Sequence, residues 1–193
     1  MENPIQKFDE WWELAKTNSP LKHKNAVCVS TITKDGFPNG RFVDLKSVDD
    51  QGFVFCSNQD SQKGKDLARN SKVSMTIWWD HVGFQIRIVG LATLLPESES
   101  ELLWAIRSRD AQLATLGAEQ SQVLNSEQEL LDRVERVGNE FEERIIPRPK
   151  NWGGYKVKPL SIEFLLFKEN RLHIREFYDL NDKGIWRKRF LQP

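Results

Sequence analysis

The chain has 193 residues, enough for one domain with a buried core. Its 28 basic and 28 acidic residues cancel, which argues against a nucleic-acid or membrane-surface role, since both need a clustered positive excess. No apolar run reaches the roughly 18 residues of a membrane span, and the acidic, aromatic start at residues 1–12 lacks the basic-then-apolar plan of a signal peptide.

Residues 4–17 place Ile5, Phe8, Trp11, Trp12 and Leu14 near helical spacing and read as an amphipathic helix. Residues 26–33 alternate apolar and small polar side chains, with several β-branched ones, and read as a strand. Lys34-Asp35-Gly36 is a turn signal. Strands follow at 41–48 and 52–57, and Asp60 or Ser61 can cap a short helix over 62–69. Two further strands are expected at 73–79 and 84–95. Helices follow at 97–107, with Leu102, Leu103 and Ile106 on one side, and at 126–141, with Leu130, Leu131, Val134, Val137 and Phe141 as its apolar stripe. Ile145-Ile146-Pro147-Arg148-Pro149 ends the second helix. After Trp152-Gly153-Gly154-Tyr155 come strands at 161–167 and 172–178, a turn at Asn181-Asp182-Lys183-Gly184, and a last strand at 185–190.

Five strands, a helical middle and two or three more strands do not make an alternating βαβ plan. Short connections favour antiparallel pairing, and a closed barrel hides the sheet edges. The expected class is α+β. The chain reads as one domain over 1–193, with an N-terminal helical segment at 1–22, a helical insertion at 97–144 and C-terminal strands at 150–193. Cys28 and Cys56 sit singly in apolar runs and read as buried thiols of a reducing, cytoplasmic compartment. A disulfide or metal site is the weaker reading, with no CxxC and no His/Cys cluster.

The chain lacks GxSxG, HExxH, GxxxxGK[ST] and GxGxxG, so nucleophilic hydrolysis, zinc chemistry and P-loop binding have little support. The basic positions say more. Arg41 opens one strand, Lys46 ends its apolar part, and Lys63 lies in the first turn of the short helix. A helix start offers free N–H groups and partial positive charge, which suit a phosphate. A lysine there is disfavoured unless an anion is bound. The plainer alternative is solvated surface charge. Arg41 and Lys46 are five apart and would face opposite sides of a regular strand, so sharing a ligand requires a bulge, a twist or a strand end. In Arg171-Leu172-His173-Ile174-Arg175, alternation would put Arg171, His173 and Arg175 on one strand face. Such a face needs either water or an anionic ligand.

Taken in order, these segments resemble the pyridoxamine 5′-phosphate oxidase family over residues 26–193. Arg41-Phe42-Val43-Asp44-Leu45-Lys46 resembles the family strand that lies along FMN. Gly52-Phe53-Val54-Phe55-Cys56-Ser57-Asn58 and Ser61-Gln62-Lys63-Gly64 resemble its strand and phosphate-binding helix start. Gln85, Gln120-Ser121, Trp152-Gly153-Gly154, Ile162-Glu163-Phe164 and Arg171-Leu172-His173 complete the pattern. The resemblance implies an antiparallel split β-barrel of Greek-key type with flanking helices, and a homodimer with FMN at the interface. It implies hydride transfer from C4′ of pyridoxamine or pyridoxine phosphate to flavin N5, then reoxidation by O₂. The implied cofactor contacts are Arg41, Phe42, Val43, Lys46, Cys56, Ser57, Gln62, Lys63, Gln85, Gln120, Ser121 and Arg175. Arg171 and His173 would be catalytic, and with Lys46 and Arg107 would hold substrate; no metal is implied.

The departures concern mainly the substrate end. Leu103 and Ala111 stand where the family has a tyrosine and a serine around the phosphate arginine. Leu165 replaces a tryptophan, Gln62 an arginine, and Asp44 an apolar residue. These leave two alternatives to a pyridoxine-phosphate oxidase: an FMN oxidase of another aromatic, phenazine-type substrate, or a flavin-binding protein without turnover.

Overall fold

The computed structural model describes residues 3–17 and 19–193; of the expected helical segment 1–22, positions 1, 2 and 18 lie outside the described residues. Helix α1 (Pro4–Lys16) starts where the Asn3 side chain accepts from the Ile5 N–H at 2.9 Å, and Pro4 fills a first-turn position whose N–H would have no helical partner. Its Ile5, Phe8, Trp12 and Ala15 face joins the barrel core, where the Phe8 ring meets Phe53 edge-on at 4.9 Å.

Strand β1 (Ala26–Ile32) turns Val27, Val29 and Thr31 inward. A turn with Gly36 at φ +83° leads to β2 (Pro38–Asp49), then β3 (Gly52–Asn58). Gly52 joins those two strands at φ +141°, and a Cβ there would collide with the Val157 carbonyl, so the turn requires glycine. Helix α2 (Gln62–Arg69) is capped by Ser61, whose Oγ accepts from the Gly64 N–H at 3.3 Å. Losing that cap in Ser61→Ala should cost about 1 kcal/mol, read as a lowered thermal-unfolding midpoint. An unchanged midpoint would show that the cap adds nothing here.

Next come β4 (Lys72–Trp79), a 3₁₀ turn (Asp80–Val82) and β5 (Phe84–Leu94). Three helices follow: α3 (Glu97–Ala105), α4 (Arg109–Gly117) and α5 (Glu127–Glu140). The chain ends in β6 (Trp152–Leu166), β7 (Ile174–Leu180) and β8 (Trp186–Leu191).

Several expectations need correction. Helix α4 was not anticipated, because Arg109–Gly117 has no clean apolar stripe and buries only Gly117. Helix α3 turns Ser100 and Trp104 inward and leaves Leu102 and Ile106 exposed, so its buried face is not the leucine side. Strand β6 begins at Trp152 rather than 161, since the paired glycines that look like a loop are ladder residues opposite β3. Cys28 and Cys56 are free but only half-buried.

Every strand pairing is antiparallel, in the order β3-β2-β1-β4-β5-β6-β7-β8. Strand β6 also pairs with β3, which closes six strands into a barrel and leaves β7 and β8 as an extension. The fold is an α+β split barrel, and closure removes most of the exposed edges. No helix among the described residues is long and apolar enough to cross a membrane.

Candidate functional site

Strand β2 positions the first basic residue. Arg41 stands opposite Val29 of β1 and turns inward. Its guanidinium donates to Thr31 Oγ1 at 2.8 Å and to the Val29 carbonyl at 3.2 Å, and lies 3.9 Å from the Asp66 carboxylate. Asp66, on α2, has no exposed surface and accepts from Thr31 at 2.8 Å, Gln62 at 2.9 Å and Arg69 at 3.0 Å. Burial lowers the Arg41 pKa, and the Asp66 charge opposes that shift.

Lys63 folds back beneath the start of α2. It is only 6% exposed, and its ammonium donates to Ser57 Oγ at 3.0 Å and Ser61 Oγ at 3.4 Å. Both partners are hydroxyls, and no ion pair of Lys63 occurs among the described residues. Burial, and then the neighbouring Arg41 charge, lowers its pKa from 10.5 to about 8. Ser57 Oγ also donates to Gln120 Oε1 at 3.2 Å, which accepts from the Asn58 N–H at 3.3 Å. Ser121 follows at φ +72°, exposed. A buried cation with hydroxyl partners, a helix N-terminus and a second cation nearby form a cradle suited to a phosphate.

Lys46 lies elsewhere. The β2–β3 register shifts between Leu45 and Ser47, which makes Lys46 the bulged residue. This is the device that the five-residue spacing demanded, but the Lys46 ammonium goes to Asp44 Oδ2 at 2.7 Å. On the same strand Phe42 is exposed, whereas Val43 packs against the core. Arg107 follows α3, with its guanidinium 4.9 Å from the Trp152 ring centre and 5.6 Å from that of Trp104. Its Nη2 donates to the Ala111 carbonyl at 2.9 Å and Thr115 Oγ1 at 3.1 Å, and its Nε is buried without a partner among the described residues. Burial lowers its pKa, with Cys56 and Asp44 opposing the shift. Cys56 and Leu103 pack against the Trp104–Trp152 cluster. Burial pushes the Cys56 thiol up to about 11, despite the Lys46 and Arg107 charges, a direction opposite to that of an activated thiol.

A third group forms on β5, β6 and β7. Gln85, Leu165 and Arg175 are direct cross-strand partners over β5, β6 and β7, and Trp78 of β4 extends the row. Arg175 donates to Glu163 Oε1 at 2.8 Å, and Arg87 to the other Glu163 oxygen at 3.2 Å. The expected alternation of Arg171 and His173 on a strand is wrong, because β7 begins at Ile174. Arg171 closes a turn with φ +61°, its N–H bonded to the Lys168 carbonyl. A non-glycine residue in that region is strained. His173 Nδ1 accepts from the Lys168 N–H at 3.1 Å, which puts a neutral ring's proton on Nε2, and the ring packs 4.7 Å from Phe167.

The sequence-selected residues thus separate. Arg41, Ser57, Gln62, Lys63 and Gln120 gather at β2, β3 and α2, with Lys46, Cys56 and Arg107 beside Asp44. Gln85 and Arg175 flank Leu165 on β5 and β7, and Arg171 and His173 lie in the turn before β7. Strands β1 and β4 stand between β2 and β5 in the sheet. Sequence reasoning missed Thr31, Asp66, Thr115 and Glu163, which hold the arginines. Two had a signal: Thr31 interrupts the inward apolar row of β1, and Glu163 lies between inward Ile162 and Phe164.

Family models for pyridoxamine 5′-phosphate oxidase and for the pyridoxine 5′-phosphate oxidase C-terminal dimerisation region match residues 15–140 and 152–193. The pyridoxine/pyridoxamine 5′-phosphate oxidase of Rubrobacter xylanophilus is 39% identical over 191 residues, covering 99% of this chain and 87% of the relative. That of Trichormus variabilis is 36% identical, covering 99% and 89%. Among solved structures, PhzG from Burkholderia lata 383 in complex with tetrahydrophenazine-1-carboxylic acid superposes with a TM-score of 0.93 at 30% identity, covering 100% of this chain and 94% of that one. A pyridoxamine 5′-phosphate oxidase-related, FMN binding protein from Nostoc punctiforme shares the fold, with a TM-score of 0.79 at 14% identity and full coverage of both chains.

Proposed function

The chain belongs to the pyridoxamine 5′-phosphate oxidase family, and from that premise we propose that it is an FMN-dependent oxidase of pyridoxamine or pyridoxine phosphate, or of a closely similar ring substrate. The observation that carries this reading is the buried Lys63 ammonium, which has hydroxyl partners and stands under a helix start beside Arg41. A buried cation without a counter-charge is costly, and a bound phosphate removes the cost.

In this reading Arg41 and Lys63 hold the FMN phosphate, with Ser57, Gln62, Gln120 and Ser121 around it and Phe42, Val43 and Cys56 along the cofactor. FMN held there would supply the redox chemistry of substrate oxidation by O₂. Gln85 and Arg175 contact the flavin, and Glu163 and the Gln192 carbonyl hold the Arg175 guanidinium in place. Arg171 and His173 orient the substrate carbon and its exchangeable proton, while Lys46 and Arg107 face the substrate's charged end. The separation of the Lys63 group from the Gln85–Arg175 row supports a homodimer in which each site draws on both subunits. The C-terminal family match points the same way.

The test is oxygen uptake and peroxide release by FMN-loaded protein given pyridoxamine phosphate. Flavin bound without turnover would reject the reading. A second reading keeps the flavin but takes another aromatic substrate. Leu103 and Ala111 favour it, since both lack the hydroxyls that would grip a phosphate, as does the 30% identity to PhzG. Faster flavin reduction by a reduced aromatic acid than by pyridoxamine phosphate would select it.

A further inference from the structure

Among the described residues, Asp44 is the acidic group that acts at the corner formed by Lys46 and Arg107. It projects from the outward side of β2, pairs with Lys46 at 2.7 Å, and lines a surface cavity of about 680 Å³ with His23, Ala26, Phe42 and Val43. Its field reaches both Cys56 and Arg107. Arg107 meanwhile spends Nη2 on the Ala111 carbonyl and Thr115. The corner therefore offers two cations already opposed by one carboxylate, with apolar Leu103 against the neighbouring Trp104–Trp152 cluster. A dianion placed there must either displace Asp44 from Lys46 or sit against its charge. A group of single negative charge meets half that repulsion.

We propose that Asp44 is a specificity-determining residue: its ion pair with Lys46 weakens the grip of this corner on a phosphate dianion and favours substrates whose charged end is a monoanion. The proposal rests on the reading of Lys46 and Arg107 as the substrate's charged end. It makes Asp44 a selector that acts through Lys46.

The experiment compares wild type, Asp44→Asn and the double variant Asp44→Asn/Lys46→Met, all FMN-loaded. Dissociation constants for pyridoxal phosphate and for unphosphorylated pyridoxal are read from the bound flavin's absorbance. Asp44→Asn should tighten pyridoxal phosphate about tenfold, change pyridoxal by less than about twofold, and lose the gain in the double variant. With pyridoxamine phosphate the gain should fall on KM more than on kcat. Unchanged or weaker phosphate binding in Asp44→Asn overturns the proposal, because Asp44 would then be holding Lys46 ready for the phosphate. So would a gain that survives removal of Lys46. Absence of turnover in every variant would instead defeat the oxidase reading, and the binding comparison would still decide the role of Asp44.

Discussion

Lys63→Met is expected to weaken FMN binding by about 3 kcal/mol, roughly 100-fold in Kd, at about pH 7. The substitution keeps most of the side chain's volume and removes the charge that Ser57 and Ser61 hold in place. The same lysine makes the affinity pH-dependent in a defined direction. Its pKa in the free protein is about 8, against an ordinary 10.5. A phosphate raises that value again, so binding above about pH 8 must take up a proton. Apparent Kd should then rise by up to about tenfold per pH unit above about 8, and Lys63→Met should abolish this slope. Stability of the free protein moves the other way. The unfolded chain binds the extra proton between about 8 and 10.5, so unfolding becomes harder as pH rises through that window. A flavin titration at two pH values in both proteins settles the matter. Equal affinity in wild type and variant would remove Lys63 from the phosphate site.

The second large effect is on stability. Asp66→Ala should destabilise the protein by about 3 kcal/mol and lower Tm by roughly 6–12 °C. Asp66 has no exposed surface, and its carboxylate gathers Thr31, Gln62 and Arg69 within 3.0 Å. Removal leaves the Thr31 hydroxyl without its acceptor and Arg41 without its nearest carboxylate. Arg41 and Lys63 would then face each other with less compensation. The variant should therefore also bind FMN less well, although Asp66 is not among the groups assigned to the cofactor. A Tm change under about 2 °C, equivalent to less than about 1 kcal/mol, would mean that this network contributes little.

Much of the barrel was legible because its strands are half-buried and alternate cleanly. Val27, Val29 and Thr31 of β1 and Val73, Met75, Ile77 and Trp79 of β4 all follow period two. The capped start of α2 was legible too, since Ser61 and the helix after it follow a local rule. Helix α4 was not, because Arg109–Gly117 draws its order from contact with α5, where Gly117 closes against Val134. Nor was the turn before β7. Arg171-Leu172-His173 alternates like a strand, but the chain reverses through Lys168 and Arg171, and periodicity cannot register a reversal.

In the site, residue types were easier to read than their pairings. Lys46 and Arg41 were visible as cations, and the need for a bulge between them followed from strand geometry. That Asp44 would take Lys46 did not follow, because two side chains of one face compete with every group across the sheet. The same limit hid Glu163, whose bond to Arg175 depends on the β6–β7 register.

Strand β6 works as a ruler. One end pairs with β3 at Cys56 and Ser57; the other carries Leu165 between Gln85 and Arg175. Gly154 and Leu165 are separated by roughly 36 Å of strand at about 3.3 Å per residue. Neighbours hold the strand at both ends, β3 and then β7 along one edge, with β5 running along the other edge for most of its length. The spacing between the two groups is thus written in residue count rather than in loop conformation. The helical segment from α3 to α5 does not set that spacing, but its Gln120 ties it to the cofactor end through Ser57 and the Asn58 N–H, so sequence change there can reshape the substrate end around Leu103 only while that tie is kept.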